Sequence, residues 1–164
     1  MRSGACSTRG SSQLRKPASG EQPLATIDTF LNFLSFWKHV MPQRLLVAVI
    51  DDDESVRESL PGLLKVLGFA ARAFASAEGF LDSDCIADVR CLILDINMPR
   101  TSGPELQREL IRNGYAIPTI FITALSPQSI PEDLLEQGAV ECLLKPFSRE
   151  DLRAALDAAL KEGR

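Results

Sequence analysis

Five short apolar runs alternate along this chain with segments whose apolar residues recur at helical spacing. That alternation constrains the fold more than any other feature. A strand–helix rhythm of this kind is satisfied by a parallel sheet covered on both faces. Leu46–Ile50, rich in Val and Ile, suits a buried strand. Val56, Leu60, Leu63, Leu64 and Leu67 give residues 54–67 a helical face, which Gly68 ends. Pro61 inside that helix is expected to bend it or loosen one turn. Phe69–Phe74 reads as a second strand, and Ser76–Leu81 opens a short helix with Ser76 as its cap. Cys91–Leu94 is the third strand. A loop with Pro99 and Gly103 follows, then a helix over 104–112. Ile117–Ile122 and Val140–Leu144 are the fourth and fifth strands, with a short helix near 131–137 between them, ending at Gly138. Ser148 caps the last helix, with Asp151 at capping-box spacing and Leu152, Leu156 and Leu160 as its core face. Right-handed crossovers make this an α/β, doubly wound, five-stranded parallel sheet.

In such sheets the site lies beyond the carboxyl ends of the strands. Strand one ends in Asp51, Asp52 and Asp53, strand three in Asp95, strand four in Thr123 and strand five in Lys145. These strands are expected to be central; strand two, the expected edge, ends in no such residue. Helix N-terminal charge accounts for Asp53. It does not account for Asp95 after Cys-Leu-Ile-Leu or for Lys145 after Leu-Leu, since isolated charges flanking apolar strands need partners. Crowded carboxylates repel, and Mg²⁺, which prefers carboxylates, carbonyls and water, relieves that repulsion. A metal-bound Asp95 can attack phosphorus to give an acyl phosphate. Lys145 can pair with phosphoryl oxygens, and the Thr123 hydroxyl can hydrogen-bond another.

Val-Ala-Val-Ile-Asp-Asp-Asp (47–53), Leu-Ile-Leu-Asp-Ile-Asn-Met-Pro (92–99), Phe-Ile-Thr-Ala (121–124) and Lys-Pro-Phe (145–147) together resemble the motif blocks of response-regulator receiver domains. The resemblance covers residues 45–162. It implies a flavodoxin-like (βα)5 receiver with strand order 2-1-3-4-5. It implies that Asp95 is the phosphoacceptor, and that Asp51 and Asp52 are the acidic pair, with Asp52 the more direct metal ligand. Asn97 is then the residue whose backbone carbonyl binds Mg²⁺, and Thr123 and Lys145 are the switch hydroxyl and the phosphate-pairing lysine. A cis bond before Pro146 is also implied. The implied function is a phosphorylation-dependent switch in a two-component phosphorelay. A sensor histidine kinase or phosphotransfer protein would be the donor. A downstream protein would dock on the face of the fourth helix, fifth strand and last helix. Such a module is not an enzyme beyond promoting its own phosphorylation and dephosphorylation. One position departs from the family: Cys142 stands three before the lysine, where an aromatic residue is usual. Two other classes are a catalytically silent docking receiver and an aspartyl-nucleophile phosphatase resembling the haloacid-dehalogenase family. The second needs an Asp two residues after the nucleophile, where this chain has Asn97.

Charge is uneven: residues 1–44 hold six Lys/Arg against Glu21 and Asp28, while residues 45–164 hold twelve against twenty acids. An acidic globular part without a basic stripe argues against nucleic-acid binding by this chain. Cys6, Cys85, Cys91 and Cys142 form no CxxC pair, and His39 is the one histidine, which argues against zinc. Cys91 and Cys142, in apolar runs, read as buried free thiols, which suits a cytoplasmic setting. No run of about 18 apolar residues exists to span a membrane. Residues 1–44 form an N-terminal extension. Residues 2–23, rich in Ser, Gly, Arg and Gln, are expected to be disordered. Residues 24–41, with Phe30, Phe33, Phe36 and Trp37, read as an extra helix, or as sequence ahead of a start at Met41. Residues 45–164 are then the receiver, expected to stand alone.

Overall fold

The computed structural model describes residues 44–126, 130, 134 and 137–162. The expected N-terminal disorder and extra helix lie outside these residues, as does most of the helix expected near 131–137. Strand β1 spans Leu46–Ile50, helix α1 Glu54–Val66, β2 Ala70–Phe74, α2 Ala77–Leu81, β3 Val89–Asp95, α3 Gly103–Arg112, β4 Thr119–Thr123, β5 Ala139–Leu144 and α4 Arg149–Glu162. The strands form one sheet in the order β2-β1-β3-β4-β5, every neighbouring pair parallel.

Strand residues alternate between the two faces, as the pleat requires. Ala48, Ile50, Leu92, Leu94 and Phe121 face one way and pack with Phe80 of α2 and with Leu106 and Leu110 of α3. Val47, Val49, Cys91, Ile93, Ile120 and Ile122 face the other way and pack with Leu60 and Leu64 of α1 and with Leu152 and Leu156 of α4. Helices therefore cover both faces, and the doubly wound arrangement follows from alternating burial rather than from any single motif.

The local devices are mostly those expected. Asp53 caps α1 by accepting from the Ser55 N–H at 2.8 Å. Ser76 caps α2 through the Gly79 N–H at 3.1 Å. Ser148 and Asp151 cap α4 reciprocally at 3.0 and 3.1 Å. Helix α1 runs unbroken through Pro61.

Several boundaries differ from expectation for local reasons. The second strand starts at Ala70, not Phe69. At the end of α1 the Phe69 N–H donates to the Leu64 carbonyl at 2.9 Å and the Gly68 N–H to Lys65 at 3.1 Å, so Phe69 still belongs to the helix cap. Gly68, at φ +97°, supplies the left-handed turn that this cap needs. The fourth strand begins after Pro118, which has no N–H to give a ladder. The third strand is longer than its apolar run and includes Asp95 itself. An unforeseen 3-10 turn at Ile86–Asp88 precedes it. Strand β5 is the second edge, as the expected order 2-1-3-4-5 requires, so Lys145 follows an edge strand rather than one of the central strands. Edge placement also leaves Cys142 half-buried, whereas Cys91 is fully buried as expected. Burial pushes the Cys91 thiol up to about 12.

Candidate functional site

Register brings the charged strand ends to one edge of the sheet. Ile50 lies opposite Leu94, so Asp51 comes level with Asp95. Asp95 lies opposite Ile122, and Thr123 opposite Leu144, so Thr123 and then Lys145 each stand one residue further on. Asp51 and Thr123 are almost fully buried and Asp95 is 6% exposed.

Lys145 joins the two acids. Its Nζ donates to Asp51 Oδ2 at 2.6 Å and to Asp95 Oδ1 at 2.7 Å. The lysine is itself held by its backbone N–H on the Thr123 carbonyl at 2.7 Å, and its peptide bond to Pro146 is cis. The Asp53 N–H donates to Asp51 Oδ1 at 2.9 Å, and the Asn97 N–H to Asp95 Oδ2 at 2.7 Å. Thr123 Oγ1 accepts from the Leu125 N–H at 3.0 Å. Asp52 is exposed, and its carboxylate makes no hydrogen bond or ion pair among the described residues.

Two carboxylates and one ammonium leave this cluster with one net negative charge when both acids are ionised. Burial raises the Asp51 pKa above the ordinary aspartate range, although Lys145 and the Asp53 N–H favour its charged form. For Lys145 burial pulls the other way, but the hydrogen bonds it donates to Asp51 and Asp95 outweigh it and hold the ammonium above its ordinary range. A further cation would relieve the excess charge. The donors suit a hard cation, being carboxylate oxygens and a loop carbonyl. Each buried carboxylate accepts two hydrogen bonds out of about four lone-pair sites, so capacity remains. The convergence is incomplete, however. Among the described residues no three acidic, histidine or cysteine side chains are gathered closely enough to hold a metal, and Asp52 stands apart in solvent.

Three supporting residues are not apparent from the motif blocks. Arg57, at the end of the first turn of α1, donates from Nη1 to the Asp51 carbonyl at 3.0 Å. Gly103 opens α3 against β3: a Cβ there would lie 2.3 Å from the Asp95 carbonyl oxygen and 3.0 Å from the Phe121 ring. Glu78 of α2 reaches the loop after Asp95, accepting from Thr101 Oγ1 at 3.1 Å. A capping box, Ser102 with Glu105, also starts α3; its spacing was visible in the sequence. Nothing local marks Glu78, which lies 23 residues from its partner. Beside Lys145, an open groove of about 610 Å³ is lined by Val56, Leu60 and Leu63 of α1 and by Pro146 and Phe147.

The family model described as the response regulator receiver domain matches residues 47–157. The chain is 36% identical over 124 residues to the response regulator protein TmoT of Ectopseudomonas mendocina, covering 76% of this chain and 56% of that one. It is 39% identical over 114 residues to the transcriptional regulatory protein TdiR of Thauera aromatica, covering 70% and 50%. The chain thus spans about half the length of the curated relatives it matches. Among solved structures, the response regulator StyR matches with a TM-score of 0.67 at 39% identity, over 72% of this chain and 60% of that one. FixJ-N matches with a TM-score of 0.62 at 36% identity, over 73% and 95%.

Proposed function

The chain belongs to the response regulator receiver family, and on that premise we propose that it is a phosphorylation switch whose acceptor is Asp95 and whose donor is a histidine kinase or a phosphotransfer protein. Receivers of this family are signalling modules rather than classical enzymes. The observation that carries the reading is the double contact of Lys145 with Asp51 and Asp95 at 2.6 and 2.7 Å, which puts a cation beside a nearly buried carboxylate at the sheet's carboxyl edge.

In this mechanism an Asp95 oxygen attacks phosphorus, the phosphorus–nitrogen bond of the donor phosphohistidine breaks, and an acyl phosphate forms on Asp95. The incoming group adds about −1.5 to −2 charge and three acceptor oxygens. Lys145 turns from the carboxylates to those oxygens, and the Thr123 hydroxyl leaves the Leu125 N–H to donate to one of them. The Asn97 N–H holds Asp95 in register during the attack. Asp51, Asp52, Asp95 and the Asn97 carbonyl would hold Mg²⁺, which when bound offsets the charge of the phosphoryl oxygens. The groove between α1 and Phe147 opens next to this site and suits an apolar surface of the donor. The downstream partner would read the side of the sheet that carries β5 and α4. What is proposed holds for the receiver unit. A stand-alone protein, as expected from the sequence, is not implied, because the chain spans about half of its curated relatives.

The test is phosphoryl uptake from a small acyl phosphate with Mg²⁺, read by intact mass. The wild-type chain is expected to gain one phosphoryl group. Asp95→Asn is expected to gain none while keeping its circular dichroism and melting temperature. Unchanged uptake by Asp95→Asn would move the acceptor to another residue.

A further inference from the structure

The loop from Ile96 to Gly103 carries Asn97 next to the acceptor. At its base, the Ile96 N–H donates to the Ile122 carbonyl and the Gly103 N–H to the Ile96 carbonyl, both at 3.1 Å. Met98 is buried in the core beneath α3. These contacts fix the base and one side of the loop. The tip, Pro99–Thr101, is a tight three-residue turn in which the Thr101 N–H donates to the Pro99 carbonyl at 2.9 Å and Arg100 sits at φ +70°. Such a turn is rare and strained for a residue with a side chain. It persists only where its surroundings hold it.

Glu78, in the first turn of α2, makes two contacts with that tip. Its Oε1 accepts from Thr101 Oγ1 at 3.1 Å, and its Oε2 lies 3.3 Å from Arg100 Nη2. Oε2 has no hydrogen-bond partner among the described residues and lies against Arg100, while the carboxylate as a whole is half-exposed and is also held in its charged form by its own backbone N–H and by Ser76. Arg100 is 71% exposed, so the pair contributes little energy by itself. The Thr101 hydrogen bond gives the clamp its direction. A carboxylate at the start of α2 could serve the helix alone. Glu78 does serve it, through Ser76 and its own backbone N–H, but that role does not account for its further contacts with two consecutive residues of a strained turn.

We propose that Glu78 is a positioning residue for the acceptor site: by clamping Arg100 and Thr101 it holds the loop that presents Asn97 beside Asp95. This rests on the reading of Asp95 and the Asn97 carbonyl as phosphoacceptor and cation ligand. Disruption of the clamp lets the tip relax, moves Asn97 and weakens cation binding without unfolding the sheet.

The experiment is calorimetric titration of the full chain with Mg²⁺ alone. Glu78→Ala and Thr101→Val are each expected to weaken binding about three- to tenfold, the effect of one net hydrogen bond. Glu78→Gln, which keeps an acceptor for Thr101, is expected to stay close to wild type. The double variant Glu78→Ala/Thr101→Val should be no weaker than either single one, since both break the same contact. Acyl-phosphate uptake by Glu78→Ala should be slow at limiting Mg²⁺ and close to normal at saturation. Should Glu78→Ala fail to fold, Thr101→Val carries the comparison. Wild-type affinity in both single variants, or fully additive losses in the double, would overturn the clamp alone. A wild-type chain that binds no Mg²⁺ would overturn the reading of the site together with it.

Discussion

Lys145 offsets the charge of two carboxylates, so its removal exposes how the cluster is balanced. Lys145→Met leaves Asp51 and Asp95 facing each other without a cation, and Asp51 has no access to solvent. A buried charge stripped of its partner is costly. With the lysine 20% exposed, the variant is expected to lose about 2 kcal/mol at neutral pH. The pH dependence has a definite sign. The Asp51 pKa is already raised by burial, and loss of the lysine raises it further. A carboxyl raised in the folded state favours folding below its unfolded value, and that stability is lost as pH rises through the folded value. The deficit of Lys145→Met should therefore shrink on acidification through the raised Asp51 range. In the wild type the raised Lys145 stabilises the fold fully below the ordinary lysine value, and that contribution is lost as pH rises through its raised folded value. Denaturant melts of both proteins across pH check this; a pH-independent difference between them would show that the loss is one of packing.

At the scale of elements, the junction of β3 with α3 is the most tightly specified. The α3 N-terminus comes close enough to the Asp95 carbonyl that only a hydrogen fits at position 103. The Ser102–Glu105 capping box then starts the helix there: the Ser102 N–H donates to Glu105 Oε2 at 2.8 Å. Gly103→Ala must push α3 away from the strand end or displace Asp95, because its Cβ would meet backbone and the Phe121 ring. We expect a loss of about 1–3 kcal/mol, as for overpacking elsewhere, together with slower phosphoryl uptake. Thermal melts and uptake rates measured in parallel decide it. Gly62, whose added Cβ would meet nothing within 4 Å, is the control in which Ala costs no such packing.

Across the whole molecule, the Asp95 end of the sheet is linked to the β5 side through Thr123. This residue ties the two directly: its carbonyl holds the Lys145 N–H, and its hydroxyl holds the Leu125 N–H at 3.0 Å. On the proposed reading, recruitment of that hydroxyl to a phosphoryl group would release Leu125; Leu125 and Cys142 both pack at the margin of the same core. A large aromatic ring at position 142 would have to move with it, whereas a half-buried Cys has little volume to move. Hydrogen exchange with and without an acyl-phosphate analogue is therefore expected to quicken at the Leu125 amide and change little at Cys142 and along α4. A strong change confined to β5 and α4, with Leu125 unaltered, would place the coupling on another route.

The five apolar runs, the helix-period segments between them and the charges at the run ends were all legible in the sequence. Strand alternation, helical spacing and the caps at Asp53, Ser76 and Ser148 depend on residues within a turn or two of one another. The polar positions Asp51, Asp95, Thr123 and Lys145 were legible for a related reason: each interrupts an apolar run where a strand must stop. Contacts across the sheet were not. The distance from Lys145 to Asp51 spans 94 residues and that to Asp95 spans 50, and parallel register alone brings them together. The solvent position of Asp52 and the reach of Glu78 to Thr101 depend likewise on which elements become neighbours. Periodicity states which face a residue is on, but only packing of the faces decides what lies opposite it.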